Sequence, residues 1–170
     1  MPFQKTVNIK QAFGLPGEFY DDSPRRAHTF KMALNGEALP TFGYAFTATS
    51  NEGEAQPGGS NAFLGILVNP KEHALRGGLT PSLTLPAGAV GTLCDFGRVL
   101  VTVAAAVTPT SLPVYNTTTG AISGVAAGSS SAGAGNAFIP NAKFVFYSAA
   151  ADGLAVLELN GFANAPAAGE

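Results

Sequence analysis

The stretch GRVLVTV, residues 97–103, sets Val99, Val101 and Val103 on one side and Arg98, Leu100 and Thr102 on the other. β-branched residues at a period of two are what a pleated strand accommodates best. Its neighbours read the same way. In FGYAFTAT (42–49), Phe42, Tyr44, Phe46 and Ala48 oppose Gly43, Ala45, Thr47 and Thr49, a half-buried strand with one packing face and one small face. FLGILVN (63–69), stopped by Asn69 and Pro70, suits a strand buried on both faces. KFVFYS (143–148) and LAVLELNG (154–161) repeat the alternation, and Asp152-Gly153 between them supplies a hairpin turn. Shorter runs at 27–32, 83–85, 112–115 and 121–125 bring the total to about eight or nine strands.

Helical periodicity is missing, and 12 Pro with 21 Gly punctuate the chain too often for long helices. Only PKEHALRG (70–77) could turn once or twice. Many short strands must close or stack to hide their edges, so an all-β barrel or sandwich is expected. NEGEAQPGGSN (51–61) and GSSSAGAGN (128–136) read as exposed loops between strands.

A chain of 170 residues is one domain long and can bury a core without staples. Its charged fraction of 12% is half the roughly 25% of ordinary soluble proteins. A surface of Ala, Gly, Ser, Thr and Asn has little charge to oppose association, which fits adaptation to a harsh exterior, extensive coverage by partner subunits, or a small uncharged monomer surface. Of the 20 charged residues, eight fall in the first 31 positions: Lys5, Lys10, Glu18, Asp21, Asp22, Arg25, Arg26 and Lys31. This shift places a boundary near Arg26, between an extended N-terminal arm (1–26) and a β-barrel or sandwich body (27–170) with a poorly ordered C-terminal tail.

A net charge of −2 argues against direct nucleic-acid binding. No apolar run reaches the roughly 20 residues of a membrane span, and no secretory pattern opens the chain, so synthesis in a cytoplasm is expected. The single cysteine, Cys94, reads as a buried thiol. His28 and His73 have no metal-ligand spacing, Ser129–Ser131 lack a nucleophile elbow, and GAGNAF (133–138) puts Phe138 where a dinucleotide fingerprint needs its third glycine. Asp21 and Asp22 are followed at once by Arg25 and Arg26, and Glu52 and Glu54 sit in a Gly-rich loop without a calcium-ligand series. No enzyme, cofactor or metal is expected. Asn116-Thr117-Thr118 matches a glycosylation acceptor but reads as a turn.

MPFQKTVNI (1–9), GEFYDDSPR (17–25), PAGAVGTLCDFGRVLVTV (86–103) and LPVYNTTTGAIS (112–123) together resemble the structural cement, or head decoration, proteins of tailed bacteriophages, over Met1 to about Asn160. The resemblance implies a virion protein on the outer surface of the capsid that bridges major capsid subunits and stabilises the shell. It also implies a homo-oligomer, with a homotrimer favoured over a homodimer, and an N-terminal arm across the capsid.

The residues are compatible with such an arm. Phe3, Val7 and Ile9 alternate with Gln4, Asn8 and Lys10, as strand addition to an exposed edge requires, and Phe13, Phe19 and Tyr20 could anchor farther along. Arg25 and Arg26 suit carboxylates on a partner or pair locally with Asp21 and Asp22. The proposed capsid or subunit interface is therefore Phe3, Lys5, Val7, Ile9, Phe13, Phe19, Tyr20, Arg25 and Arg26. Two other functions compete: a carbohydrate-binding β-sandwich module displayed on a virion, disfavoured by the absence of Trp, and a small-molecule carrier, which needs a cavity inside the barrel.

Overall fold

The structure, a computed structural model, describes residues 14–70 and 83–161. The candidate helical turn at 70–77 and His73 lie almost wholly or wholly outside the described residues, as do Phe3, Lys5, Val7, Ile9 and Phe13. Ten strands and no helix form among the described residues: β1 (Arg26–Met32), β2 (Ala45–Ala48), β3 (Glu54–Pro57), β4 (Phe63–Leu67), β5 (Val90–Thr102), β6 (Leu112–Asn116), β7 (Ile122–Val125), β8 (Asn136–Phe138), β9 (Ala142–Val145) and β10 (Leu154–Asn160).

Residues 97–102 of the sequence-defined strand form the second half of β5, whose 13 residues organise both halves of the molecule. Its first half pairs with β1 on one side (Lys31 opposite Val90, Ala27 opposite Cys94) and with β4 on the other (Ile66 opposite Cys94). Its second half pairs with β10, from Asn160 opposite Phe96 to Leu154 opposite Thr102. Gly97, at φ 125, lies at this change of partners. Because β1 pairs with β5 as well as β3, the order β1-β3-β2-β4-β5 closes into a five-stranded barrel. β10 and β9 extend that sheet from β5, and β7-β6-β8 form a second sheet. The expectation of an all-β barrel is met.

Alternation along the barrel wall sends successive side chains into two cores. Phe46, Leu67 and Leu93 point with Met32, Phe42, Ala55 and Leu85 into the barrel. Ala45, Ile66 and Cys94 point the other way and pack with Val99, Val101, Val103, Tyr115, Ile122, Phe144 and Leu157 between the barrel wall and the second sheet. Among the described residues, large side chains thus point into the space that a carrier would need to keep empty. Full burial of each contributes roughly 1.5 to 3 kcal/mol.

Two local readings change. The strand at 42–49 is buried on both faces rather than one: Ala45 and Thr47 are fully buried because the second sheet covers the wall they face. The apparent loop at 51–61 contains β3, which pairs with β1 in parallel (Met32 opposite Ala55) and β2 in antiparallel (Phe46 opposite Pro57). Glu-Ala-Gln-Pro has low strand propensity, and two flanking partners override it. The loop expected at 128–136 stays outside the strands up to Gly135, and β8 follows from Asn136, paired with β6 through Phe138 opposite Val114.

Close approach of the two sheets explains Gly58: a Cβ there would stand 2.7 Å from the Thr117 carbonyl oxygen and 2.8 Å from that of Asn116. Asn116 makes the expected turn, its Oδ1 accepting the backbone N–H of Thr118 at 2.9 Å and of Thr119 at 3.0 Å. The Asp152-Gly153 turn also forms, with Asp152 at φ 59.

Candidate interaction surface

The segment from Gly14 to Pro24 lies along β5, continuing antiparallel from the start of β1. Gly17 N–H donates to the Leu100 carbonyl at 2.7 Å, Leu100 N–H to Glu18 at 2.8 Å, and Tyr20 N–H to Arg98 at 3.0 Å. This pairing covers Leu100, which is 2% exposed although it lies on the face of β5 opposite its valines. The approach requires Gly17: at φ +81, its Cβ would fall 2.7 Å from the Leu67 carbonyl oxygen and 3.0 Å from Gly43 N. The described half of the charged N-terminal segment is therefore fastened to its own body.

Arg98 is the hub of that fastening. Its guanidinium bonds Asp21 through Nη1 at 2.8 Å and Glu158 through Nε at 2.8 Å, and Lys143 reaches the same Glu158 at 3.0 Å. Two cations and two carboxylates close one network across the segment, β5, β10 and β9. Hydrogen bonds from Ser23 and Arg98 hold the Asp21 carboxyl below its ordinary value. Burial pushes the Glu158 carboxyl up, but the bonds from Arg98 and Lys143 outweigh it and leave it lowered.

An aromatic group sits on the network. Arg98 stacks on the Phe146 ring at 5.2 Å, Tyr20 lies 5.4 Å from that ring between centroids, and Tyr147 lies 6.1 Å from it. Hydrogen bonding to Tyr147 pushes the Tyr20 phenol up. KFVFYS alternates only as far as Val145, where β9 ends; Phe146 then takes φ 69, and the Tyr147 N–H donates to the Val145 carbonyl at 2.8 Å. The consecutive Phe146-Tyr147 pair was the one sequence signal that the alternation would break.

The four predicted interface residues that are described each have a partner within the chain. Phe19 bridges Val99 and lies under Arg25, 4.4 Å from the guanidinium carbon to the ring centroid. Tyr20 joins the aromatic group. Arg25 also makes a long 3.9 Å contact to exposed Asp22. Arg26 does not pair with Asp21 or Asp22; it grips Asp95 with Nε at 2.9 and 3.0 Å and Nη2 at 2.6 Å. Asp95, Arg98, Glu158, Phe146 and Tyr147 were not legible as a set, since up to 137 positions separate Asp21 from Glu158.

Two open grooves border the same segment. One, about 180 Å³, lies among Ser23, Pro24, Phe96, Gly97, Leu159 and Asn160. The other, about 480 Å³, lies among Glu18, Phe19, Arg25, Val68, Asn69 and Thr92. Among the described residues no three His, Cys, Asp or Glu side chains cluster as a metal site. Cys94 is fully buried, as expected, and burial pushes its thiol up to about 11, away from nucleophilic use near neutral pH.

The geometry defines an all-β protein that carries paired charges and exposed aromatics on its surface. Residues 3–160 match the family model described as structural cement protein (E217 gp24/Pam3 gp6). The chain belongs to this family of structural phage capsid proteins, which gives it a capsid role, a place in the virion and association with capsid proteins. Among solved structures it is similar to a chain of the capsid of Myoviridae phage XM1, with TM-score 0.64 and 17% identity, covering 94% of this chain and 98% of that one. That likeness is one of fold. A search of curated proteins found no match.

Proposed function

We propose that the protein decorates the outer surface of a tailed-phage head, bridges neighbouring major capsid subunits and stabilises the shell. Membership of the cement family across residues 3–160 is the observation that carries this reading. The chain's composition supports it, since a 12% charged fraction leaves a surface suited to coverage by other subunits.

Of the N-terminal segment 1–26, the residues before Gly14 act as the reaching arm, with Phe3, Lys5, Val7, Ile9 and Phe13 engaging capsid or a sister subunit, while 14–26 anchor it along β5. Phe19, Tyr20, Arg25 and Arg26 set the arm's departure from the body. Association of copies, as a homotrimer in preference to a homodimer, multiplies weak single contacts into firm attachment. Mixing purified protein with undecorated heads and sedimenting them tests the function: co-pelleting at micromolar concentration is the expected result. Free protein left in the supernatant with its own host capsid would overturn it.

A further inference from the structure

We infer that the Phe146-Tyr147 turn and the open edge of β9 form the seat for an extended, uncharged segment of a neighbouring capsid subunit. The inference rests on the cement role and names a surface that performs it.

The turn is strained and still carries a phenylalanine. At φ 69, with the Tyr147 N–H bonded back to the Val145 carbonyl, Phe146 occupies a three-residue turn that bulky residues seldom adopt and glycine takes freely. The ring is not spent on the core: Phe146 is 53% exposed and Tyr147 52%. Strain retained to hold an aromatic side chain outward is the mark of a contact site rather than of packing. Its companions, Tyr20 and Arg98, complete the residue types that dominate protein-binding hot spots.

The surroundings specify the occupant. Asp21, Arg98, Glu158 and Lys143 are paired with one another, so the patch offers, among the described residues, two charges of each sign and little to favour a charged ligand. β9 ends its sheet, pairing among the described strands only with β10. An edge of this kind accepts an extended backbone, whose alternate side chains can then lie on adjoining apolar groups. A second copy is the poorer occupant. Pairing β9 with itself about a two-fold axis would bring Lys143 towards its counterpart, and lysines on edge strands act against such pairing.

Phe146→Gly separates contact from folding, because glycine relieves the turn while removing the ring. The variant should melt at or above the wild-type temperature, yet bind undecorated heads about thirtyfold more weakly in sedimentation titrations. Wild-type affinity in the folded variant would overturn the inference. So would a lower oligomer mass for the free variant by analytical ultracentrifugation, since that would make a second copy the occupant. Wild-type protein runs alongside: its failure to bind would count against the cement role itself, whereas binding of both proteins counts only against this seat.

Discussion

The Arg98 guanidinium bonds Asp21 and Glu158 at 2.8 Å each, tying the N-terminal segment to β10 across the strand between them. Asp21 and Arg98 are 77 positions apart. The backbone pairing of Gly17, Glu18 and Tyr20 with β5 is short, and this side-chain bridge adds to its hold on the segment. Replacing Arg98 by alanine also uncovers the inner face of Phe146.

Arg98→Ala should therefore loosen residues 14–25 while the body remains folded. Limited proteolysis is the measure: cleavage within that segment should accelerate about tenfold, as local opening becomes easier. An unchanged cleavage rate would show that backbone pairing alone holds it.

Acid should loosen the same contact. Asp21 and Glu158 both have folded-state values below their unfolded ones, which lie near about 3.9 and 4.3. Groups lowered on folding bind more protons when unfolded, so their stabilisation is complete above those unfolded values and is lost as pH falls through the folded ones. Melting temperature should hold from neutral pH to about pH 5 and then decline. The double variant Asp21→Asn, Glu158→Gln should start lower and show a shallower acid decline.

Gly17→Ala tests whether close approach decides where the segment lies. The added Cβ meets the Leu67 carbonyl oxygen at 2.7 Å and must also take φ +81. A cost of about 1 to 3 kcal/mol in urea unfolding is expected, whereas Gly36→Ala, with nothing within 4 Å of its Cβ, should lack the contact part of that cost.

Phe46→Ala should be the costlier change. Phe46 is fully buried at the barrel centre beside Leu67 and Leu93, and a phenylalanine cavity there should reduce unfolding free energy by about 3 to 5 kcal/mol. Equilibrium denaturation checks it; a loss below about 1 kcal/mol would mean that the barrel is not tightly packed.

Most of the strands could be read locally. Val99, Val101 and Val103, or Ile66 and Leu67, announce strands because period-two patterning and β-branched packing act over a few residues. Glu54–Pro57 could not be read so, because β3 exists through its neighbours β1 and β2 and not through its own propensity. Phe146 was misplaced for a related reason: alternation says nothing about where a strand is turned out of its sheet.

For function, the opening segment and the 86–103 and 112–123 stretches carried the family resemblance, and the family match over residues 3–160 agrees with it. The interaction surface was hidden. Tyr20, Arg98, Phe146 and Glu158 come from four separated stretches, brought together by the register of β10 on β5 and of β9 on β10.

By itself, then, the sequence determined an all-β chain, sparse in charge, with a buried thiol and a charged N-terminal segment, because composition and short-range periodicity govern those properties. Only the tertiary structure decided that β1 closes the barrel onto β5, that Arg26 grips Asp95 rather than its neighbouring aspartates, and that Arg98 fastens the segment beneath an outward-turned Phe146. Those depend on strand register and close backbone approach between distant residues, which no local pattern encodes.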